Sequence, residues 1–467
     1  MSGNERGLIH DTTPETLKLR QEVFAYASDR LGMNPPPLDT PATVSELWQM
    51  TGQTVTEEGL GGSAALALFR DKVGHATISV DHPNFLSFIP CAPTEAARLF
   101  DLIVSASSIF GGSWLEGAGA VHLENQVLAW LAAEVGFPDS AGGVFVQGGS
   151  LGNLSALAAA RYTAGLKLKA QGKPQPRNWA FLCSKEAHSS LKAAARVLDV
   201  DIVWAPVDEN GRLTGQAVAQ TLAANTDHTI FAIVATSGTT NFGIVDDLRG
   251  VGEVANANDI WFHIDGAYGL AGILSPRAKH LYDGSELADS FIVDPHKWLF
   301  APYDVCALVY KEPQLAHQAH AQHGEYIAVL QDGDDWNPSD FAYNLTRRTR
   351  GLPFWFSLAT HGVAAYRTAV THGIDMARRI ADEIESRPGL SLVRQPELSV
   401  VAFRKVGWDL DHYKRWSDLL LNRGQAFVVP SAHNGEPMTR FAIINPLTEY
   451  SELIKILASM DEIEAHK

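Results

Sequence analysis

The sequence predicts an α/β protein whose mostly parallel sheet is covered by helices, with an N-terminal helical arm before it and a C-terminal α+β domain after it. Between residues 95 and 354, short β-branched runs repeatedly give way to a Gly-rich turn and a helical pattern, which means crossover units. The runs are GGVFVQGGS leading into LGNLSALAAARYTAGL, TIFAIVATSGTT, IWFHIDGAYG and SFIVDPHKW. Before residue 95 the apolar positions keep a helical period, and after residue 354 long helices alternate with isolated strands. With 467 residues, 46% of them hydrophobic and 19% charged, and no biased tract, the chain has the mass for a large core. Its composition is not that of a disordered, collagen-like or disulfide-rich protein.

Along the chain, residues 15–31 place Leu19, Val23, Ala27 and Leu31 four apart, one apolar face of an amphipathic helix. The run NPPPLDTP at 34–41 stops any helix, because proline has no N–H to give and its ring clashes with the preceding turn. A second amphipathic stretch at 42–72 leads to HPNFLSFIPCAP at 82–93, so residues 1–94 read as an arm or dimerisation segment with little core of its own. Residues 95–354 form the large domain. Residues 355–467 form the small one, with a helix in GVAAYRTAVTHGIDMARRIADEIES, a strand in LSVVAFRKV, a helix around 411–423 and a strand in TRFAIINP.

Lys and Arg total 37 against 53 Asp and Glu, a net charge of −16 and the wrong sign for nucleic acid or an anionic membrane surface. Cys91, Cys183 and Cys306 are scattered with no C-x-x-C, which reads as reduced thiols and not as a disulfide framework or zinc site. No apolar run reaches the roughly 18–20 residues of a membrane span, and the polar start MSGNERGLIHDTTPETLKLR is no signal peptide, so a cytoplasmic protein is expected.

The chemistry lies in the middle of the chain. VQGGSLGNLSALAAAR follows a β-run and opens a helix, so the N–H groups near Gly149 and Ser150 suit a phosphate, although a plain strand-to-helix turn has the same pattern. It is neither GxxxxGK[ST] nor GxGxxG, which weighs against a P-loop or a dinucleotide fold. Asp265 ends the run IWFHID at the carboxyl end of a parallel strand, where such sheets bind ligands, and the small Gly266 and Ala267 let something flat approach. Lys297, in HKW after SFIVDP, reads either as an ion-paired lysine or as the buried amine of depressed pKa that imine chemistry requires. With His188 between the turn and the acid, the order is anion cradle, stacking ring, carboxylate and amine. Pyridoxal phosphate needs all four.

On these residues the chain resembles the fold type I, pyridoxal-phosphate-dependent amino acid decarboxylases, which include the aromatic-L-amino-acid, glutamate and cysteine-sulfinate enzymes. The likeness runs from HPNFLSFIP through GGSLGN, HSSLKAAARVL, VATSGTTNFGIVDDL, WFHIDGAYG and ADSFIVDPHKW to RRTRGLPFWF and GEPMTRFAIINPLT. It implies a lysine at Lys297 that bonds to the cofactor aldehyde, Asp265 on the pyridine nitrogen, and His188 and Ala267 on the two ring faces. Gly149, Ser150 and Thr240 match phosphate or ring-contact positions, Ser290, Asp294 and His296 flank the lysine, and Asp246 matches an acid that orders a loop. Leu151-Gly152 after GGS, Gly266 before Ala267 and Asp294 in place of asparagine depart from common family patterns, and a carboxylate near a phosphate needs a compensating donor.

The resemblance also implies a homodimer and a loop tyrosine, Tyr326, that protonates the substrate carbon after carbon dioxide leaves; a surface tyrosine is the alternative. His317, His320 and His323 recur at i+3 steps, and with no HExxH or carboxylate partner they read as a solvated helix and not a metal site. For the substrate, HPNFLSFIPCAP resembles the family stretch that borders the substrate side chain; its Phe85, Phe88, Ile89 and Cys91, with Trp114 as a partner from the same or the other subunit, would make an apolar wall with no cation for an acidic side chain, which points to an aromatic amino acid. Glu116 would instead suit a diamino acid. The remaining alternatives are a transaminase, an aldehyde synthase that decarboxylates and oxidatively deaminates, and a non-catalytic regulatory relative.

Overall fold

The computed structural model describes residues 9–322 and 336–463. Its large sheet contains β1 (Gly142–Val146), β2 (Trp179–Ser184), β3 (Asp201–Ala205), β4 (Thr229–Thr236), β5 (Trp261–Asp265), β6 (Ser290–Val293) and β7 (Cys306–Tyr310), in the order β1-β7-β6-β5-β4-β2-β3. The pairs β2–β3, β2–β4, β4–β5 and β5–β6 are parallel. Only β7 is reversed among the described strands, running antiparallel to β6 and to β1, because no helix separates β6 from β7 to carry a crossover.

The strands are apolar almost throughout because both faces are covered. Alternate residues serve the two layers. Val144, Val146, Ala232 and Val234 face one side, and Phe145, Ile233, Ala235, Phe262 and Ile264 face the other.

The helices are α1 (Pro14–Leu31), α2 (Val44–Thr51), α3 (Gly62–Leu68), α4 (Glu95–Ser107), α5 (Trp114–Val135), α6 (Gly149–Ala170), α7 (Ser189–Leu198), α8 (Gly215–Ala224), α9 (Leu248–Ala257), α10 (Pro313–His320), α11 (Leu352–His361), α12 (Val363–Ser386), α13 (Leu410–Asn422) and α14 (Tyr450–Ala458). On the first face α6, α7 and α10 pack through Ala156, Leu157, Ala160, Leu191 and Ala316; on the second α5, α8 and α9 pack through Leu128, Leu131, Val218 and Val251. The small residues of α6 let it lie close to the sheet, which brings its first turn to the strand ends.

Four antiparallel strands, β8 (Leu390–Leu392), β9 (Val400–Lys405), β10 (Pro430–His433) and β11 (Glu436–Ala442), form a second sheet in the order β10-β11-β9-β8. Helices α12, α13 and α14 close a separate core over it with Ile380, Trp416 and Leu453. The last part of the 1–94 segment is stitched into this core: Leu86 N–H donates to Phe427 O at 3.0 Å, Ala442 N–H donates to Leu86 O at 2.9 Å, and the Leu86 side chain is fully buried.

The stretch 42–72, expected as one amphipathic run, is divided. Gly52 leaves α2 at φ 58° and Gly61 precedes α3 at φ 80°, backbone conformations that end regular helix. Neither α1, α2 nor α3 buries a residue within its own chain. Among the described residues no helix is long and apolar enough to cross a membrane.

Asp246 holds the turn that follows β4. It is buried, its Oδ1 accepts from Leu213 N–H and its Oδ2 from Thr236 N–H, both at 2.7 Å. This is the loop-ordering part that the sequence suggested for it. Asp246→Asn should therefore lower unfolding free energy by roughly 1–3 kcal/mol, because the new amide N–H must face one of two buried N–H donors. Chemical denaturation of the two proteins checks this, and an unchanged midpoint would mean the turn does not depend on the carboxylate.

Candidate active site

Because β1, β2, β4, β5 and β6 run in one direction, their carboxyl ends share one edge of the sheet. A cavity of about 460 Å³ opens there, lined by residues that follow four of these strands. Pairing continues beyond β5 and β6: Gly266 N–H donates to Ile292 O at 3.1 Å, and Asp294 N–H to Ala267 O at 3.0 Å. A turn closed by Lys297 N–H on Asp294 O, at 2.9 Å, then folds the lysine back so that its Nζ lies 2.9 Å from Asp294 Oδ2.

Burial pulls the Lys297 ammonium down, but the Asp294 carboxylate outweighs it and holds the group above the ordinary lysine range. Of the two readings that the sequence left open for Lys297, the ion-paired lysine is the one found, its partner being Asp294. Asp294 is 2% exposed; burial alone would raise it, and Lys297 with His296 holds it below the usual carboxylate range instead. The compensating donor that its carboxylate calls for is Lys297 itself.

Asp265 is buried and held on both oxygens, Oδ1 accepting from Ala267 N–H at 3.2 Å and Oδ2 from the Asn153 side-chain amide at 2.9 Å. The same amide nitrogen donates to Ser190 Oγ at 3.0 Å. His188 caps α7, its Nδ1 accepting from Ser190 N–H at 3.2 Å with Ser190 Oγ 2.9 Å away, and its ring is exposed at the cavity. Behind Asn153 lies a second layer: His263 Nε2 is 2.9 Å from Asn153 Oδ1, His263 Nδ1 is 2.8 Å from Ser290 Oγ, and Trp261 Nε1–H donates to Ser290 Oγ at 2.8 Å. Burial pulls the His263 imidazole down to about 4, so it is neutral.

The residues present fit pyridoxal phosphate. Helix α6 begins at Gly149 with no side-chain cap, which leaves its first N–H groups for an anion. A Cβ on Gly149 would come within 3.2 Å of Ala267 Cβ, Asp294 Oδ2 and Ile292 Cδ1, so only glycine keeps this cradle clear. The buried Asp294 carboxylate has the Cys306 thiol beside it as well as Lys297 Nζ at 2.9 Å. Gly149, Ser150, His188, Asp265, Ala267, Asp294, His296 and Lys297 all line the one cavity.

Other sequence-derived positions fall elsewhere. Ser290 is in the second layer, because three residues of strand, Phe291 to Val293, separate it from Asp294 at the cavity, at about 3.3 Å per residue. Thr240 is exposed and does not line this cavity, and Tyr326 lies outside the described residues. Cys91 is buried, its thiol donating to Ala301 O at 3.1 Å. Phe88 is 57% exposed, and Trp114 N–H is taken by Asn337 Oδ1 at 2.9 Å; neither residue lines the cavity of the single chain. His317 and His320 take separate partners, Asp340 Oδ2 at 3.6 Å and Ser155 O at 2.9 Å, and His323 lies outside the described residues.

Sequence reasoning missed Asn153, Ser190, His263, Tyr303 and Asp304. Two of these carried a signal: Asn153 stands four residues after Gly149 on one helix face, and His263 two before Asp265 on one strand face.

Comparison with known proteins places this geometry. Residues 69–406 match the pyridoxal-dependent decarboxylase conserved domain. The chain is 31% identical over 421 residues to an aromatic-L-amino-acid decarboxylase of Bacillus atrophaeus, covering 87% of this chain and 86% of the relative. It is 26% identical over 447 residues to the L-2,4-diaminobutyrate decarboxylase of Acinetobacter baumannii, covering 90% and 88%. Its fold matches the crystal structure of Oryza sativa TDC with PLP and tryptamine at a TM-score of 0.88 and 23% identity, covering 98% and 99%. Since the decarboxylase domain is matched over most of the length, and the sheet edge carries the donors this cofactor takes, the chain belongs to the pyridoxal-dependent decarboxylase family and is a pyridoxal-phosphate-dependent amino acid decarboxylase.

Proposed function

We propose that this decarboxylase acts on an aromatic L-amino acid such as tyrosine, tryptophan or dopa, releasing carbon dioxide and the amine. One observation carries the choice. Among the described residues lining the cavity, Lys297 is the only lysine or arginine, against Asp265, Asp294 and Asp304. An acidic side chain would enter without a counter-ion, and an unpaired carboxylate is costly to desolvate. Aromatic rings line the cavity instead: His188, His296 and Tyr303 all face it, with Tyr303 5.0 Å from His296. The carboxylates that would suit a diamino acid are engaged, Glu116 by the Ser113 hydroxyl at 2.8 Å and Asp304 by Arg350 at 2.8 Å.

When bound, pyridoxal phosphate supplies an electron sink conjugated to the substrate α-carbon, which lets the α-carboxylate depart as carbon dioxide. Lys297 Nζ tethers it, and Asp294 Oδ2 is within reach of the proton the amine must lose. Asp265 would hold a proton on the ring nitrogen, His188 and Ala267 would bound the ring, and the first turn of α6 with Ser150 would hold the phosphate. Tyr326 would act as the general acid that returns a proton to the substrate α-carbon.

Lys297→Ala should lose covalently held cofactor and activity while remaining folded, because the side chain serves the cavity and not the core. Borohydride reduction and peptide mapping check it, and cofactor found on another lysine would end the assignment.

A panel of amino acids, with amine, aldehyde and peroxide all measured, tests the substrate class. Aromatic substrates should give the highest kcat/KM and amine as product. Higher values for glutamate or aspartate, or for diaminobutyrate, would overturn the aromatic reading, and aldehyde with peroxide from wild type would make the enzyme an aldehyde synthase. In Tyr326→Phe carbon dioxide release should continue while product shifts from amine to aldehyde; an unchanged amine yield would return Tyr326 to a surface role.

The arm of residues 1–94 is part of the same proposal, covering a second copy of the chain. Helices α1–α3 bury none of their residues, and Phe24, Trp48, Leu60 and Phe69 are exposed on or beside them. Sedimentation should give a homodimer, and a fully active monomer at micromolar concentration would refute it.

A further inference from the structure

We propose that Asn153 and His263 are positioning residues that lock Asp265 in its ionised form and fix the tautomer of His188. The inference rests on the reading of Asp265 as the partner of the cofactor's ring nitrogen.

The argument concerns the direction of each hydrogen bond. The Trp261 indole nitrogen can only donate, so Ser290 Oγ accepts from it. If Ser290 then donates to His263 Nδ1, the single ring proton of the neutral imidazole sits on Nε2 and is given to Asn153 Oδ1. The Asn153 amide is thereby oriented with its N–H groups toward Asp265 Oδ2 and Ser190 Oγ. Ser190 in turn offers its hydroxyl proton to His188 Nδ1, which already accepts Ser190 N–H, and the His188 proton is left on Nε2.

The reverse polarity fails twice. It would set the Asn153 carbonyl 2.9 Å from Asp265 Oδ2, tolerable only for a protonated acid, and it would leave the hydroxyl proton of the fully buried Ser290 without its acceptor on His263. Of these two polarities the first matches each donor with an acceptor from Trp261 to Asp265, and in it Asp265 is a carboxylate.

The ionisable groups around Asp265 leave this task to Asn153. Lys297 is matched to Asp294 on the loop after β6. His263, on the strand of Asp265 itself, is neutral, and burial holds the thiols of Cys183 on β2 and Cys306 on β7 above their ordinary range. His188, at the start of α7, has its Nδ1 occupied by Ser190. Among the described side chains, Asn153 alone donates a hydrogen bond to the Asp265 carboxylate.

The test is nitrogen NMR of enzyme loaded with pyridoxal phosphate labelled at the ring nitrogen, read from neutral to mildly alkaline pH beside steady-state kinetics. In wild type the ring nitrogen should stay protonated throughout. In Asn153→Leu and His263→Phe it should lose its proton within that range, with kcat falling roughly 10–100-fold and KM within about threefold. His263→Gln, which keeps an N–H for Asn153 Oδ1, should recover most of both.

Ring protonation and kcat like wild type in Asn153→Leu and His263→Phe would overturn the proposal. So would equal losses in His263→Gln and His263→Phe, the pair that decides alone if Asn153→Leu does not fold. A ring nitrogen unprotonated in wild type, or unmoved by Asp265→Asn, would instead remove the reading of Asp265 beneath it.

Discussion

Three residue pairs, His263 with Ser290, Ile264 with Phe291 and Asp265 with Ile292, set the parallel register of β5 on β6. Everything chemical in the molecule is built on that pairing. Because the ladder runs on into the loops through Gly266 and Asp294, the carboxylate that ends one strand and the lysine that follows the other are brought to one cavity by backbone hydrogen bonds. A slip of one residue would turn every side chain of β6 to the opposite face and carry Asp294 out of the cavity. The Ala-rich face of α6, the apolar strands and the two covering layers of helices all serve to hold that register in a water-free setting.

Charge at the site is then decided by neighbours more than by burial. Asp294 is enclosed by protein and Lys297 largely so, and burial pushes each toward neutrality; together they remain an ion pair. Such a pair is useful where a bond must later form at nitrogen, because the acceptor for its proton is already in place. A lysine with an apolar surround would have reached the same readiness by a different route.

Much of this was legible in the sequence. The crossover units, the strand-end positions of Asp265 and Lys297 and the helix start at Gly149 follow from periodicity and turn residues, His188 came from the family resemblance, and these four residues meet in one cavity. The position of Ser290 misled for a physical reason: nearness to Lys297 along the chain is distance along an extended strand, which leads away from the site. Asn153 and His263 were hidden because a polar residue inside an apolar helix or strand looks like a packing exception until its partners are known. Phe88 and Trp114 show the remaining limit, since a wall shared between loops depends on contacts that no single-chain pattern encodes.

Trp261 opens β5 and Asp265 closes it, so the hydrogen-bonded row between them spans the full length of a strand through the interior. Water around a free carboxylate must reorient whenever charge shifts beside it, and that reorientation is a large part of the barrier to such reactions in solution. Here the dipoles are set by the fold before any ligand arrives, and they have nowhere else to turn. The work of arranging them is done once, during folding, and comes out of the stability of the protein and not out of the affinity for its cofactor.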